Sequence, residues 1–427
     1  MTLLSPVVLE DVFEATGKWS NITLTSAEFD GPLCVAYYLV EFGGSPQEMD
    51  FLLLDEGRWF IVVFVSGERP LWRYGGLSEW FFEFGKRALI GREDAGRALK
   101  SYATKNYHEI TDVESFSFLR SIAENNSVIL IGEAPHRNLE EPDLFLQLIM
   151  YLNQFGYRDV VMEGWEYYDT GSVNRYLKTG NPEYFEVTEY PNSHLIENLY
   201  QYNKDLPDNR QIRMWFIEPS TENPKEAAVE ISREIALLIE DHRSEEVVEL
   251  LEWVVDDVEV NRYPFASPAW CRAREVFLKE RFTELYEKLS QEGEPKMLVY
   301  YGNGHTTKQP NINEDYAELG PYLANEYERT RGKVYSIAFL PYKITTLYPD
   351  SEVSENLPSK GSVAYILGDA APCDVFFLDL GPLADYTFYH DHNDRILSAR
   401  EYDAIIFMRE VTQEWSPWLW YSYLFSS

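Results

Sequence analysis

The stretch Val128-Ile-Leu-Ile-Gly-Glu-Ala-Pro-His136, followed by Asp143-Leu-Phe-Leu-Gln-Leu-Ile-Met-Tyr-Leu-Asn153 and then by Asp159-Val-Val-Met-Glu163, decides the fold. The first and third segments are near-continuous apolar runs, the pattern of strands buried on both faces. The apolar residues of the middle segment recur at helical spacing. Together they make a βαβ unit, which predicts a parallel sheet with helices on both sides. In such sheets ligands bind beyond the carboxyl ends of the strands, where Glu133, His136 and Glu163 stand. Because the Glu163 strand follows the first crossover, it is expected beside the Glu133 strand.

Downstream, strands are expected at Met214–Glu218, Met297–Tyr301, Val334–Leu340, Cys373–Leu380 and Tyr402–Arg409. Pro224–Glu292 is rich in Ala, Leu, Glu and Arg, and Glu230-Ile-Ser-Arg-Glu-Ile-Ala-Leu-Leu-Ile-Glu240 repeats at helical spacing, so residues 224–292 form a helical insertion. The fold class that follows is α/β, a mixed and largely parallel sheet flanked by helices, over residues 110–415. Asp256-Asp-Val-Glu259 within the insertion reads as a solvated helix face rather than a metal site. No fixed-period repeat is present, which argues against a solenoid.

Upstream, residues 1–95 form a small antiparallel β-rich module. Leu33–Phe42, Met49–Leu54 and Arg58–Val65 are strand-like, and the last pair is a hairpin across Asp55-Glu-Gly-Arg58. From Glu79 onward, through Trp80-Phe-Phe-Glu-Phe-Gly85 and Glu93–Thr104, the pattern turns helical and links the module to the domain that starts near 110.

The chain has 427 residues, 45% hydrophobic, enough to bury a large core in two domains. Against 71 Asp and Glu stand 37 Lys and Arg, a net charge of −34. A field of that sign repels nucleic acid and anionic membranes, so neither is an expected partner. A small-molecule substrate is, while the partner of the β module stays undefined. Cys34, Cys271 and Cys373 are odd in number and far apart, which suits reduced thiols. No charged and then apolar segment opens the chain, and the longest apolar runs are too short to span a bilayer. A cytoplasmic protein is expected.

The chemistry concentrates at strand ends. Pro135 makes a rigid elbow between Glu133 and His136, and a carboxylate nearby fixes the tautomer of an imidazole and raises its basicity. Glu163 ends an apolar strand, where an ionised carboxylate needs a partner. Glu218 fits the same description, though the following Pro219 and Ser220 also suit a plain turn. Gly302-Asn-Gly-His305 reads as a flexible turn that presents His305, with Asn303 able to donate to an oxyanion. His390 and His392, two apart in Phe388-Tyr-His-Asp-His-Asn-Asp394, are weak metal candidates, since on a strand both rings share a side. No organic cofactor is called for, and metal dependence stays open. Gly-x-Ser-x-Gly, Gly-x-x-x-x-Gly-Lys-Ser/Thr and His-Glu-x-x-His are absent, which disfavours serine hydrolases, P-loop NTPases and zincins.

These residues resemble the erythromycin esterase-like family, part of a wider group with Tiki-like and ChaN-like proteins. Its pattern is matched by Gly132-Glu-Ala-Pro-His136, Val161-Met-Glu163, Val173-Asn-Arg-Tyr-Leu177, Gly302-Asn-Gly-His305 and, as a closing strand, Tyr402-Asp-Ala-Ile-Ile-Phe407. The likeness covers residues 110 to 412. It implies a water-activating site for ester or lactone cleavage, with His136 as general base, Glu133 and Glu163 orienting it or the water, and His305 assisting at the carbonyl. Three positions depart from the pattern. Gly302 replaces the first His of His-Asn-x-His, Phe145 replaces an Arg, and Pro135-His-Arg137 replaces Thr-His-Gly, which makes Arg137 a candidate substrate contact. Beside hydrolysis, two readings therefore stand: a catalytically silent binding module, and a metal or haem binder.

Overall fold

The computed structural model describes residues 19–30, 33–42, 45–55 and 59–66, and then 95–185, 191–220, 224–265, 267–309, 318–348, 353–358, 362–384, 386–390, 395–398 and 400–414. The chain divides into two units, Met1–Ala95 and Gly96–Ser427. The first holds β1 (Trp19–Asp30), β2 (Leu33–Phe42), β3 (Ser45–Asp55) and β4 (Trp59–Ser66), an antiparallel sheet in sequential order. The helical pattern over 79–94, the hairpin turn at 56–58 and His392 lie outside the described residues, as does the side chain of His390.

The second unit is built on nine strands: β5 (His108–Glu109), β6 (Val128–Glu133), β7 (Asp159–Met162), β8 (Arg213–Trp215), β9 (Met297–Gly302), β10 (Val334–Leu347), β11 (Val353–Asn356), β12 (Val375–Asp379) and β15 (Ala404–Glu414). Apart from them, β13 (Thr387–His390) pairs with β14 (Arg395–Ser398). The sheet runs β5-β12-β15-β10-β6-β9-β7-β8, and β11 pairs with β10. The six strands from β15 to β8 are mutually parallel, while β12 pairs antiparallel with β15, β5 antiparallel with β12, and β11 antiparallel with β10. This is the mixed, largely parallel α/β sheet that the βαβ pattern implies.

Two expectations need correction. The Glu163 strand does not lie beside the Glu133 strand, because β9 inserts between them and pairs with both. A crossover fixes direction and hand but not how many strand positions it skips. The strand expected at Met214–Glu218 stops at Trp215. On this edge strand the side chain of Asn174 takes over the pairing: its Oδ1 accepts from Met214 N at 2.9 Å and its Nδ2 donates to Met214 O at 2.6 Å.

Alternation along the strands sorts the core into two layers. Ile129, Ile131, Val160, Met162, Leu298 and Tyr300 pack with α1 (Glu141–Asn153), α2 (Thr170–Thr179) and α3 (Pro191–Asn203). Their neighbours Val128, Leu130, Val161, Val299 and Tyr301 face Leu278, Phe282, Leu285 and Leu289 on the other side. Those four belong to the insertion, which comprises α4 (Pro224–Glu240), α5 (Ser244–Asn261) and α6 (Pro268–Ser290). Each such side chain, once buried, contributes about 1.5–3 kcal/mol. The insertion is therefore one of the sheet's two helical covers. Among the described residues no helix is long and apolar enough to cross a membrane.

Candidate active site

Seven ionisable side chains from five segments meet at the carboxyl ends of β6, β9 and β7. The loop that follows β6 is pinned by hydrogen bonds at both ends. Asn138, 1% exposed, donates to Pro135 O at 2.8 Å and accepts from Glu141 N at 2.7 Å, which closes the loop onto α1. Gln413, at the end of β15, donates to His136 O at 3.0 Å, and Leu139 N donates to Thr412 O at 2.9 Å. His136 thus stands on a backbone braced from two sides. Its Nδ1 lies 3.1 Å from Glu133 Oε2, while Glu133 Oε1 accepts from Arg137 N at 3.2 Å. Arg137 adopts a left-handed φ of 62°, rare for a residue with a Cβ and a sign that the surrounding loop dictates its backbone.

Partial loss of hydration works against charge on the His136 ring, yet the Glu133 carboxylate outweighs it and raises the pKa from 6.5 to about 9. Glu163 adds to this and Arg274 opposes it. The side chain is 53% exposed, so dissolved salt screens the pair and weakens the effect. Glu133 thus favours the imidazolium form of His136.

The partner Glu163 requires is Arg274, in the second turn of α6. Ser267 caps that helix by accepting from Trp270 N at 3.2 Å, and Pro268 follows at the first position. Arg274 Nη2 donates to Glu163 Oε1 at 2.8 Å and to Glu218 Oε1 at 2.5 Å, and Nε donates to Glu218 Oε2 at 2.7 Å. Nη1 meets His305 Nε2 at 2.9 Å. Glu163 Oε2 also accepts from Gly302 N at 2.5 Å. Burial pushes the Glu163 pKa up, but the Arg274 guanidinium above all overcomes it and holds the carboxyl well below the usual carboxylate range. For Glu218 burial prevails over Arg274 and the pKa is raised.

His305 sits on the helical turn Asn303–Thr306 rather than on the flexible turn its glycines imply. Its Nδ1 is 2.7 Å from Glu275 Oε1, a carboxylate only 2% exposed whose Oε2 accepts from Leu319 N at 3.0 Å. Burial lowers the pKa of the ring and Glu275 more than restores it, so the net shift is upward. The approach of Arg274 is a hydrogen bond only if Nε2 is bare. With Nε2 accepting from Arg274, a neutral ring carries its proton on Nδ1, on the side of Glu275.

Glycine is required at two places here. A Cβ on Gly132 would lie 2.0 Å from Asn303 Oδ1 and 2.6 Å from Thr306 Oγ1, so the His305 turn packs directly on β6. A Cβ on Gly302 would lie 2.8 Å from His136 Cε1, 3.2 Å from its Nε2 and 3.3 Å from Glu163 Oε2. The His136 ring therefore fills the space that a side chain at 302 would need.

The structure brings together Glu133, His136, Glu163, Glu218 and His305. Asn303 donates from its amide to Phe339 O at 3.4 Å and packs over Gly132. Arg274 and Glu275 were missed, being hidden in an insertion read only as helix. The available signal was charge balance, since three strand-end carboxylates in apolar surroundings demand a cation and only a side chain from outside the strands could supply it. Among the described residues no three His, Cys, Asp or Glu side chains are set to share a metal ion. The guanidinium occupies the middle of the carboxylates. A cavity of about 460 Å³ lies elsewhere, at the β8 edge between α2, α4 and α5, and none of these strand-end residues lines it.

No protein-family model matches the chain, and no curated protein does. Solved structures do. A protein from Bacillus cereus superposes with a TM-score of 0.56 at 15% identity, over 74% of this chain and 98% of its own. A succinoglycan biosynthesis protein gives 0.57 at 14%, over 75% and 98%. The likeness is one of fold. A variant of the erythromycin esterase EreC in its open conformation shares it too, at a TM-score of 0.51 and 12% identity over 72% of this chain and 96% of its own.

Proposed function

We propose that this chain is a hydrolase that activates water at the β6 and β9 strand ends to cleave an ester or lactone. The observation that carries the reading is the Glu133–His136 pair, braced by Asn138 and Gln413 and aimed at the point beside Gly302 where Glu163 also converges. In its neutral form His136 takes a proton from water through Nε2 as the water oxygen adds to the carbonyl carbon. The imidazolium then returns that proton to the departing alkoxide. Glu133 holds the ring by Nδ1 throughout, and the fixed guanidinium of Arg274 supplies the positive field for the developing oxyanion. The fold shared with an erythromycin esterase supports this chemistry.

A panel of esters and lactones assayed with wild type and His136→Ala tests it. The variant should lose about a hundredfold or more in kcat on any substrate turned over. Equal rates would remove His136 as the base.

One observation favours a second reading, binding without turnover. The donors of Arg274 are directed at Glu163, Glu218 and His305, and the Gly302 position contributes no imidazole. Retention of a panel member with no hydrolysis by wild type would establish that alternative.

A further inference from the structure

The insertion helix α5 carries two apolar faces. One, with Leu250 and Val260, is buried among the neighbouring helices. The other presents Val248, Leu251, Val255 and Val258, which are 56%, 47%, 64% and 63% exposed. Their spacing of three, four and three residues is that of the a and d positions of a heptad seam. On that register Glu245, Glu252 and Glu259 all fall at the e position, seven apart. Glu259 is paired with Arg262 of its own helix, whereas Glu245 and Glu252 form no ion pair among the described residues. A stripe of four adjacent apolar side chains on a helix of 18 residues is the mark of an unfilled helix–helix seam rather than of scattered surface residues.

Charge decides what covers it. Two copies of α5 packed antiparallel, the arrangement of a two-fold dimer, would set e against e and so glutamate against glutamate. A chain of net charge −34 also repels its own copies. We propose that the outer face of α5 docks an amphipathic helix of another protein, with aliphatic residues in its seam and Lys or Arg along the flanks that meet Glu245 and Glu252. This is helix-in-groove recognition, in which the apolar anchors give affinity and the flanking charges select the partner.

The probe is a synthetic helical peptide of three heptads with Leu at a and d and Lys at e and g, titrated by fluorescence anisotropy into the full chain. Two further peptides have the same composition scrambled, or Glu in place of Lys. The Lys peptide should bind at least tenfold tighter than either, and Val255→Ser with Val258→Ser should weaken it at least tenfold at unchanged net charge. Both positions are exposed, so circular dichroism and the melting temperature of the double variant should match wild type. Equal binding of the scrambled peptide, equal binding by the double variant, or self-association of the free chain that the double variant abolishes would each overturn the proposal.

Discussion

At the scale of single residues, Gly302 and Arg274 carry the most information. Gly302 has only a hydrogen atom for a side chain, and the His136 ring occupies the volume that a larger one would need. Gly302→Ala should therefore fold normally yet displace the ring, because the new Cβ would stand 2.8 Å from Cε1. A loss of about ten- to a hundredfold in kcat is expected, the usual consequence of an ångström-scale misplacement. An unchanged kcat would show that the ring position does not matter. Arg274 answers a different question, since it holds together two carboxylates that cannot tolerate burial alone. Arg274→Ala leaves Glu163 and Glu218 unpaired and should cost about 3–5 kcal/mol in urea denaturation. Arg274→Lys should recover only part of this, because an ammonium cannot make the forked contacts to two carboxylates. A loss under about 1 kcal/mol for the alanine variant would mean that water already neutralises the pair.

At the scale of elements, the fold was legible and the neighbours were not. Apolar continuity located β6, β7 and β9 because those strands are buried on both faces, helical spacing located α1, and the strand-end Glu and His residues marked the site. Strand order was hidden, since nothing in β7 says that β9 rather than β6 lies against it. The two cations of the cluster illustrate the division. His136 was visible because it follows a strand directly, whereas Arg274 lies 111 residues from Glu163 on a helix of ordinary composition. Ser267 signals the start of that helix, and its cap sets the register that aims Arg274 inward. Ser267→Ala should lower stability by about 1 kcal/mol through the lost cap. By the same coupling it should lower activity in proportion to any disturbance of the clamp, measured as kcat beside the melting temperature. Lower stability with unchanged kcat would show that the clamp alone holds the helix end.

For the whole molecule, two of the shifted groups, Glu163 and His136, predict how stability varies with pH. Glu163 is held well below an ordinary 4.5, so its contribution is present above 4.5 and is lost as pH falls through the lowered value. His136 is raised from 6.5 to about 9, so its contribution is complete below 6.5 and is lost as pH rises through 9. Together they place the greatest stability between about 4.5 and 6.5, on the acid side of neutral, where the large negative charge also begins to diminish. Glu163→Gln should flatten the acid limb in a series of melting curves.

The central claim is that His136, held by Glu133, is the group that takes the proton from water. The pH dependence of kcat/KM on any ester or lactone the chain hydrolyses tests it most directly. Because Glu133 favours the protonated ring, kcat/KM should climb with pH through a midpoint near 9, and His136→Ala should abolish the climb along with most of the rate. A wild-type profile flat from pH 6 to 9, or the same climb in His136→Ala, would contradict the account.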